Sequence, residues 1–384
     1  MDRTLYDADH ESYRATVRQF FEREVVPHLA EWDEQRLIDR GLYAVAAKQG
    51  IYGVEIPEQY GGSGVSDYRY RLIVSEEAER VHATAINVTL GLADDIVLAY
   101  LLTLTTEEQK QRWLPGIAAG QLVGAIAMTE PGAGSDLRGI RTTAVRDGDG
   151  WRLSGSKTFI TSGITADLVI VAAQDVEQPG RLSLFVVEEG MAGFTRGRKL
   201  AKVGLAAQDT AELFFDDVRI PAENLIGTPG RGLSHLMANL PRERLGIIAQ
   251  SYTLARTVYE TTREYCFTRR AFDGPIGDLQ TVRFTLAEIE TELDVAQAYL
   301  DQSVLAFNAG VLSAVEAAKG KWYVSELAKR VVDRCVQLHG GYGYMMEYPV
   351  ARAFVDARVQ TIYGGTTEIM KEIIGRDIAA RSRA

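Results

Sequence analysis

The spacing of apolar positions divides the 384-residue chain into three stretches. From Glu11 to about Gly120 the pattern is mostly helical: Phe20, Phe21, Val25 and Val26 recur at helical spacing, and Thr106-Glu107-Glu108 has the look of a helix start. Gly53 to Gly64, rich in glycine and proline, predicts a loop between helices. The character changes near Leu122. Short β-type runs follow at Trp151 to Leu153, Leu168 to Ala172, Leu182 to Val187 and Leu213 to Phe215, separated by turn sequences such as Asp147 to Gly150 and Gln178 to Gly180. From Gly232 long helices return, and Val282, Leu286, Ile289, Leu293, Ala296 and Leu300 form the near-heptad stripe of a helix packed along others. The pattern predicts an α+β fold: an N-terminal α-helical domain over 1–121, a middle β-barrel or sandwich domain over 122–230, and a C-terminal four-helix bundle over 231–384.

Composition narrows the partners. The chain exceeds the roughly 250 to 300 residues at which one core stops growing, so several packed units are expected. Hydrophobic residues at 46% and charged residues at 24% suit a folded enzyme. The 42 basic and 52 acidic side chains give a net charge of -10, the wrong sign for nucleic acid, although local arginines and helix N-termini still suit a phosphate-bearing ligand. No uninterrupted run of about 18 apolar residues occurs, so no membrane span is expected, and the acidic opening lacks the pattern of a secretory or transit signal. Two distant cysteines, Cys266 and Cys335, fit a reduced cytoplasmic setting, and the five histidines show no paired spacing for a metal.

Neither a GxGxxG fingerprint nor a Walker sequence is present, so a dinucleotide would not be held by a Rossmann unit or a P-loop. The segment Ala125 to Asp136 (AIAMTEPGAGSD) places small residues from Gly132 to Ser135 where backbone N–H groups can approach a phosphate or a ring closely. With KTFITSG at Lys157 to Gly163, RRAFDGPIGDLQ at Arg269 to Gln280, QLHGGYGY at Gln337 to Tyr344 and IYGGTTEI at Ile362 to Ile369, it makes five ordered motifs. In this order, and over nearly the whole chain, they resemble the acyl-CoA dehydrogenase family, and its long-chain branch most.

The resemblance implies non-covalent FAD. Ile126, Met128, Thr129, Gly134 and Ser135 would line the flavin, with Thr129 on the ring and Ser135 near phosphate, and Phe159 with Thr161 would cover the ring's other face. From a neighbouring subunit, Arg269 and Phe272 would reach the pyrophosphate and adenosine end, joined by Gln280, Gln337, Gly340 and Gly341, while Thr366 and Glu368 would close the site. An arginine suits a pyrophosphate because its planar donors meet two oxygens at once. A site shared between subunits implies a homo-oligomer, usually a homotetramer. The acyl-CoA substrate would meet Ser135, Arg244, Gly364 and Gly365, and an electron-transfer flavoprotein would accept the electrons.

Removing a proton beside a thioester carbonyl needs a carboxylate tuned toward neutrality, and donors where charge develops on the carbonyl oxygen. Most of the family carries this base in the sequence IYEGT, but here the place reads Ile362-Tyr363-Gly364-Gly365-Thr366. In the long-chain and isovaleryl branches a helix of the C-terminal domain carries the base instead, and at that place stands Leu240-Pro241-Arg242-Glu243-Arg244-Leu245. Glu243 is therefore the candidate base, and glycine at 364 leaves room for a carboxylate from another direction. A glutamate returned at 364 is expected to replace it in part. The plainer reading of Glu243 is an ion pair with Arg242 or Arg244, and Glu368 is a rival base by proximity. Asp94 and Asp95 lie where the family walls its acyl pocket; facing solvent is the plainer expectation, and facing inward they would favour a short, branched or polar tail. An acyl thioester oxidase, an acyl-carrier-protein dehydrogenase and a non-catalytic flavin-binding homologue are the competing readings.

Overall fold

Asp7 starts the first helix by accepting from the backbone N–H groups of Asp9 and His10, in the computed structural model that describes residues 3–383. Helix α1 (Ala8–Phe20) is followed by α2 (Leu29–Gln35), α3 (Gly41–Lys48), α4 (Tyr68–Arg80), α5 (Thr84–Gly91), α6 (Leu98–Leu104) and α7 (Glu107–Ala118). Thr106 caps α7 in a reciprocal capping box with Gln109, which is the helix start expected there. Between α5 and α6 one π-helical turn, Leu92–Val97, continues the helix and carries Asp94 and Asp95.

The combined run Thr84–Leu104 is long and apolar enough to cross a membrane by length and composition, contrary to the expectation of no such segment. Polar Asn87, Thr89, Asp94 and Asp95 hide it from a search for uninterrupted apolar residues, and nearly all of it is buried against the rest of the fold.

The middle region holds β1 (Gly124–Ala127), β2 (Thr143–Asp147), β3 (Gly150–Thr161), β4 (Leu168–Asp175), β5 (Leu182–Glu188), β6 (Phe194–Lys199), β7 (Thr210–Ile220) and β8 (Leu225–Ile226). They form one eight-stranded mixed sheet in the order β6-β7-β3-β2-β4-β5-β8, with β1 paired parallel to the first half of β4 and β2 to its end. Ala125, Val169, Val171, Leu153, Phe185, Leu213 and Phe215 share one core, so strands from both ends of the order face the same interior.

Helix α8 (Gly232–Thr268) then leads through the short hairpin β9 (Arg270–Ala271) and β10 (Gly274–Pro275) to α9 (Gln280–Asn308), α10 (Ala314–His339), α11 (Pro349–Asp356) and α12 (Thr367–Arg381). The six apolar positions of the α9 stripe are all buried, packed with Leu254, Val258, Leu327 and Val331 of α8 and α10. α12 completes the bundle from the other side of α10, through Met370 and Ile374 against Ala318.

Candidate active site

Glu243 sits on α8, just after the one proline inside that helix, and is only 4% exposed. Its Oε1 accepts a hydrogen bond from the Tyr100 hydroxyl at 2.8 Å, reaching across from buried α6. Burial pushes its carboxyl up to about 7, against the Tyr100 bond and the Arg244 charge, which favour the ionised form. The expected pairing with Arg242 does not occur, because Arg242 turns away to Glu55 and to the Asp94 carbonyl. Arg244 is also buried, which lowers its guanidinium below the ordinary arginine range.

Gly364 and Gly365 approach the same side of α8. Both have positive φ, at 62° and 97°. A Cβ at 364 would press into Ile247 Cδ1, and Ile247 lies one helical turn beyond Glu243 on the same face. A Cβ at 365 would come within 3.9 Å of an Arg244 Nη. The loop is pinned from α10, where buried Lys321 donates to the Gly365 carbonyl at 2.7 Å and burial brings its ammonium down to about 8. Glu368, by contrast, is exposed in the first turn of α12, and hydrogen bonds at that helix start hold its carboxyl below the usual range. A carboxylate so favoured in its charged form is the weaker base. Thr366, not Glu368, caps α12.

A second group of expected residues gathers on the sheet. Ile126 lies on β1 and Met128 and Thr129 follow it directly. Glu130 and Ala133 exchange backbone hydrogen bonds to make a tight turn, and a Cβ added at Gly132 or Gly134 would meet nothing within 4 Å. Beneath the turn, Lys157 is fully buried and donates to the Met128 carbonyl at 3.0 Å and to Glu130 at 2.8 Å. Glu130 also accepts from the backbone of Arg141 and Thr142. Beside it Phe159 is 68% exposed at φ 59°, where the register of β3 against β7 shifts between Lys157 and Ile160, and Thr161 ends the strand. A bulky residue in the left-handed region marks a place where local strain is kept.

The third group lies at the far end of the bundle. Phe272 and Asp273 have φ of 53° and 69° at the tip of the β9–β10 hairpin, the geometry of a two-residue primed turn, and Phe272 is 86% exposed. Arg269, Gln337, Gly340 and Gly341 line one cavity of about 450 Å³ with Tyr265 and Tyr342, and Arg269 lies 5.8 Å from the Tyr342 ring centre. Gly340 and Gly341 meet nothing within 4 Å at an added Cβ, so they serve no close helix approach. Gln280 opens α9 and is exposed. No hydrogen bond joins this group to the sheet group among the described residues. Two cradles open toward a ligand, one backbone-rich and one bearing arginine and aromatic faces, fit the two ends of a dinucleotide.

Three family models match in succession: the acyl-CoA dehydrogenase N-terminal domain over residues 7–121, the middle domain over 125–218 and the C-terminal domain over 230–379. The chain belongs to the acyl-CoA dehydrogenase family. It is 46% identical over 380 residues to the mitochondrial long-chain specific acyl-CoA dehydrogenase of Sus scrofa, covering 98% of this chain and 88% of that one. The solved acyl-CoA dehydrogenase of Geobacillus kaustophilus is 45% identical with a TM-score of 0.95, covering 98% of this chain and 100% of that one. A Mycobacterium smegmatis glutaryl-CoA dehydrogenase, solved in complex with FADH2, is 30% identical with a TM-score of 0.91, covering 98% and 96%.

Within this family member, two expectations change. Asp94 and Asp95 do not face solvent: they are 4% and 2% exposed, with Asp94 accepting from the Gly53 N–H at 3.0 Å and Asp95 paired with Arg71 at 3.3 Å. The other change is the company Glu243 keeps. Tyr100 and the Lys157–Glu130 pair escaped the sequence reading, since nothing local separates Tyr100 from any tyrosine on an apolar helix or Lys157 from a surface lysine on a strand.

Proposed function

We propose that this acyl-CoA dehydrogenase family member converts an acyl-CoA thioester to its trans-2-enoyl-CoA, with Glu243 as the base that removes the α-proton. FAD, when bound, supplies the acceptor for the hydride leaving the β-carbon. The observation that carries the base assignment is a buried carboxylate brought up to about 7 and hydrogen-bonded by the Tyr100 hydroxyl, on the face of α8 that Gly364 approaches. A carboxylate poised there is strong enough to take a proton and still ionised at neutral pH.

The Tyr100 hydroxyl aims the carboxylate, and Arg244 with the Gly364–Gly365 backbone flanks the thioester, where donors stabilise charge developing on its carbonyl oxygen. Ile126, Met128, Thr129, Gly134, Ser135, Phe159 and Thr161 would hold the ring and adjoining phosphate. Arg269, Phe272, Gln280, Gln337, Gly340 and Gly341 would hold the other end from a second subunit, with Thr366 and Glu368 at the closing edge. Hairpin exposure of Phe272 supports that sharing, and we infer a homotetramer. Fatty-acid β-oxidation, an electron-transfer flavoprotein as acceptor and a cytoplasmic setting complete the proposal; two unpaired buried cysteines support the last.

Anaerobic mixing of the purified flavoprotein with acyl-CoAs of graded length tests the reading. Bleaching of the flavin by wild type and its loss in Glu243→Gln are expected; equal bleaching by both would overturn the base assignment. Rapid reoxidation of the bleached enzyme by air would instead identify an oxidase.

A further inference from the structure

The Gly364–Gly365 turn is fixed at both ends and loose between them. Upstream, the Tyr363 N–H donates to the Val359 carbonyl at 3.2 Å and the Tyr363 hydroxyl donates to Gln250 Oε1 at 3.2 Å. Downstream, Thr366 caps α12 and the Thr367 hydroxyl donates to Glu326 of α10 at 2.7 Å. The two glycines between have positive φ and no side chain to lodge, so they are the residues a chain orders least readily. Neither of their N–H groups makes a hydrogen bond among the described residues. The turn itself is held by one bond, from Lys321 Nζ to the Gly365 carbonyl at 2.7 Å. That bond fixes the Gly365–Thr366 peptide, and the Gly364–Gly365 peptide then spans two held planes.

Lysine is a costly choice for that bond. The side chain is fully buried, no carboxylate is bonded to it among the described residues, and burial with the nearby Arg244 charge brings its ammonium down to about 8. Glu326, further along α10, is taken by Thr367 and Lys329. A neutral donor would pin a loop at a smaller desolvation cost.

A second cation stands at the same turn. Arg244 Nε is buried without a hydrogen-bond partner among the described residues, and Arg244 Nη2 would lie 3.9 Å from a Cβ on Gly365. Two buried cations beside two successive free N–H groups are the arrangement that stabilises negative charge arriving at the turn.

Resting on the dehydrogenase reading above, we propose that Lys321 is a positioning residue for the reaction: by holding the Gly365 carbonyl it keeps the Gly364 and Gly365 N–H groups turned toward the thioester oxygen and places a positive charge behind them. When the α-carbon–hydrogen bond breaks, its proton goes to Glu243 and its electron pair moves into the thioester, leaving negative charge on the carbonyl oxygen. Lys321 acts at that step and little on binding, because the neutral ester carries far less charge on that oxygen. A thioester that can lose the α-proton but cannot give hydride isolates the step: 3-thiaoctanoyl-CoA, in which sulfur replaces the β-carbon. With the FAD-loaded protein in D2O, deuterium entry at the α-carbon is followed by mass spectrometry and the Kd of the same ester by titration. Lys321→Met should slow exchange by about tenfold or more and change Kd by less than about threefold, with flavin content retained. Lys321→Arg, which restores a cation and a donor, should recover part of the loss. Exchange within about threefold of wild type in folded Lys321→Met overturns the proposal, as does a loss of exchange matched by an equal loss of binding, the mark of a structural role alone. If Lys321→Met does not fold, the infrared carbonyl band of the ester on wild type decides: a shift to lower frequency than in water is expected, and an unshifted band leaves no donors for Lys321 to position and overturns the proposal. Absence of both exchange and flavin bleaching in wild type refutes the dehydrogenase reading, whereas bleaching by wild type with unimpaired exchange in Lys321→Met refutes the role of Lys321 alone.

Discussion

The Tyr100 hydroxyl donates to Glu243 Oε1 at 2.8 Å across the boundary between the first and third regions of the chain. The bond favours the charged carboxylate while burial opposes it, and the balance near 7 is the quantity that an α-proton base needs.

Replacing the carboxylate should therefore remove turnover without unfolding the protein. Glu243→Gln keeps an acceptor for Tyr100, so its thermal midpoint should stay close to wild type. The rate of anaerobic flavin reduction should fall by roughly 10² to 10⁴, the range for a positioned general base.

The pH profile follows from the same balance. The base is active when ionised, so kcat/KM should rise with pH through about 7 and level off above it. Tyr100→Phe removes a bond that lowers the carboxyl's pKa, so its rising limb should move to higher pH; a limb unmoved, or moved toward acid, would contradict the coupling.

Restoring a glutamate at 364 is now expected to fail by itself. The φ of 62° strains any side chain there, and its Cβ would enter the space of Ile247 Cδ1. In the Glu243→Gln background, Gly364→Glu should give no measurable rescue, whereas adding Ile247→Ala should return part of the flavin reduction, read in the same stopped-flow assay.

The Lys157–Glu130 pair is buried under the Met128–Ser135 turn. Lys157→Met leaves an uncompensated buried carboxylate and should cost about 3 kcal/mol of stability, seen as a lower midpoint in denaturant. It should also loosen retention of FAD during gel filtration. The double variant Lys157→Met/Glu130→Gln should recover much of the stability.

Phe272 presents the opposite case. At 86% exposure its truncation to alanine should change subunit stability by no more than about 0.5 kcal/mol. FAD retention by the assembled protein should nevertheless fall, and an unaltered flavin content would argue against a site shared between subunits.

The sequence by itself determined the three-part layout, because periods of 3.6 and 2 are local properties of the chain: the α9 stripe from Val282 to Leu300 is buried throughout, and Thr106 starts α7 as its neighbours required. It also supplied the family, through motifs whose glycines and arginines recur in order, and it singled out Glu243 from the missing carboxylate at 364. Only the tertiary structure decided what surrounds those residues. Tyr100 reaches Glu243 from 143 positions away, Lys157 is buried on a strand that exposes Ser154, Gly155 and Phe159, and Asp94 with Asp95 turns inward because Arg71, Arg242 and the Gly53 N–H lie there to meet them. Burial of a charged group depends on partners brought together by folding, and no local pattern records which distant side chain will satisfy it.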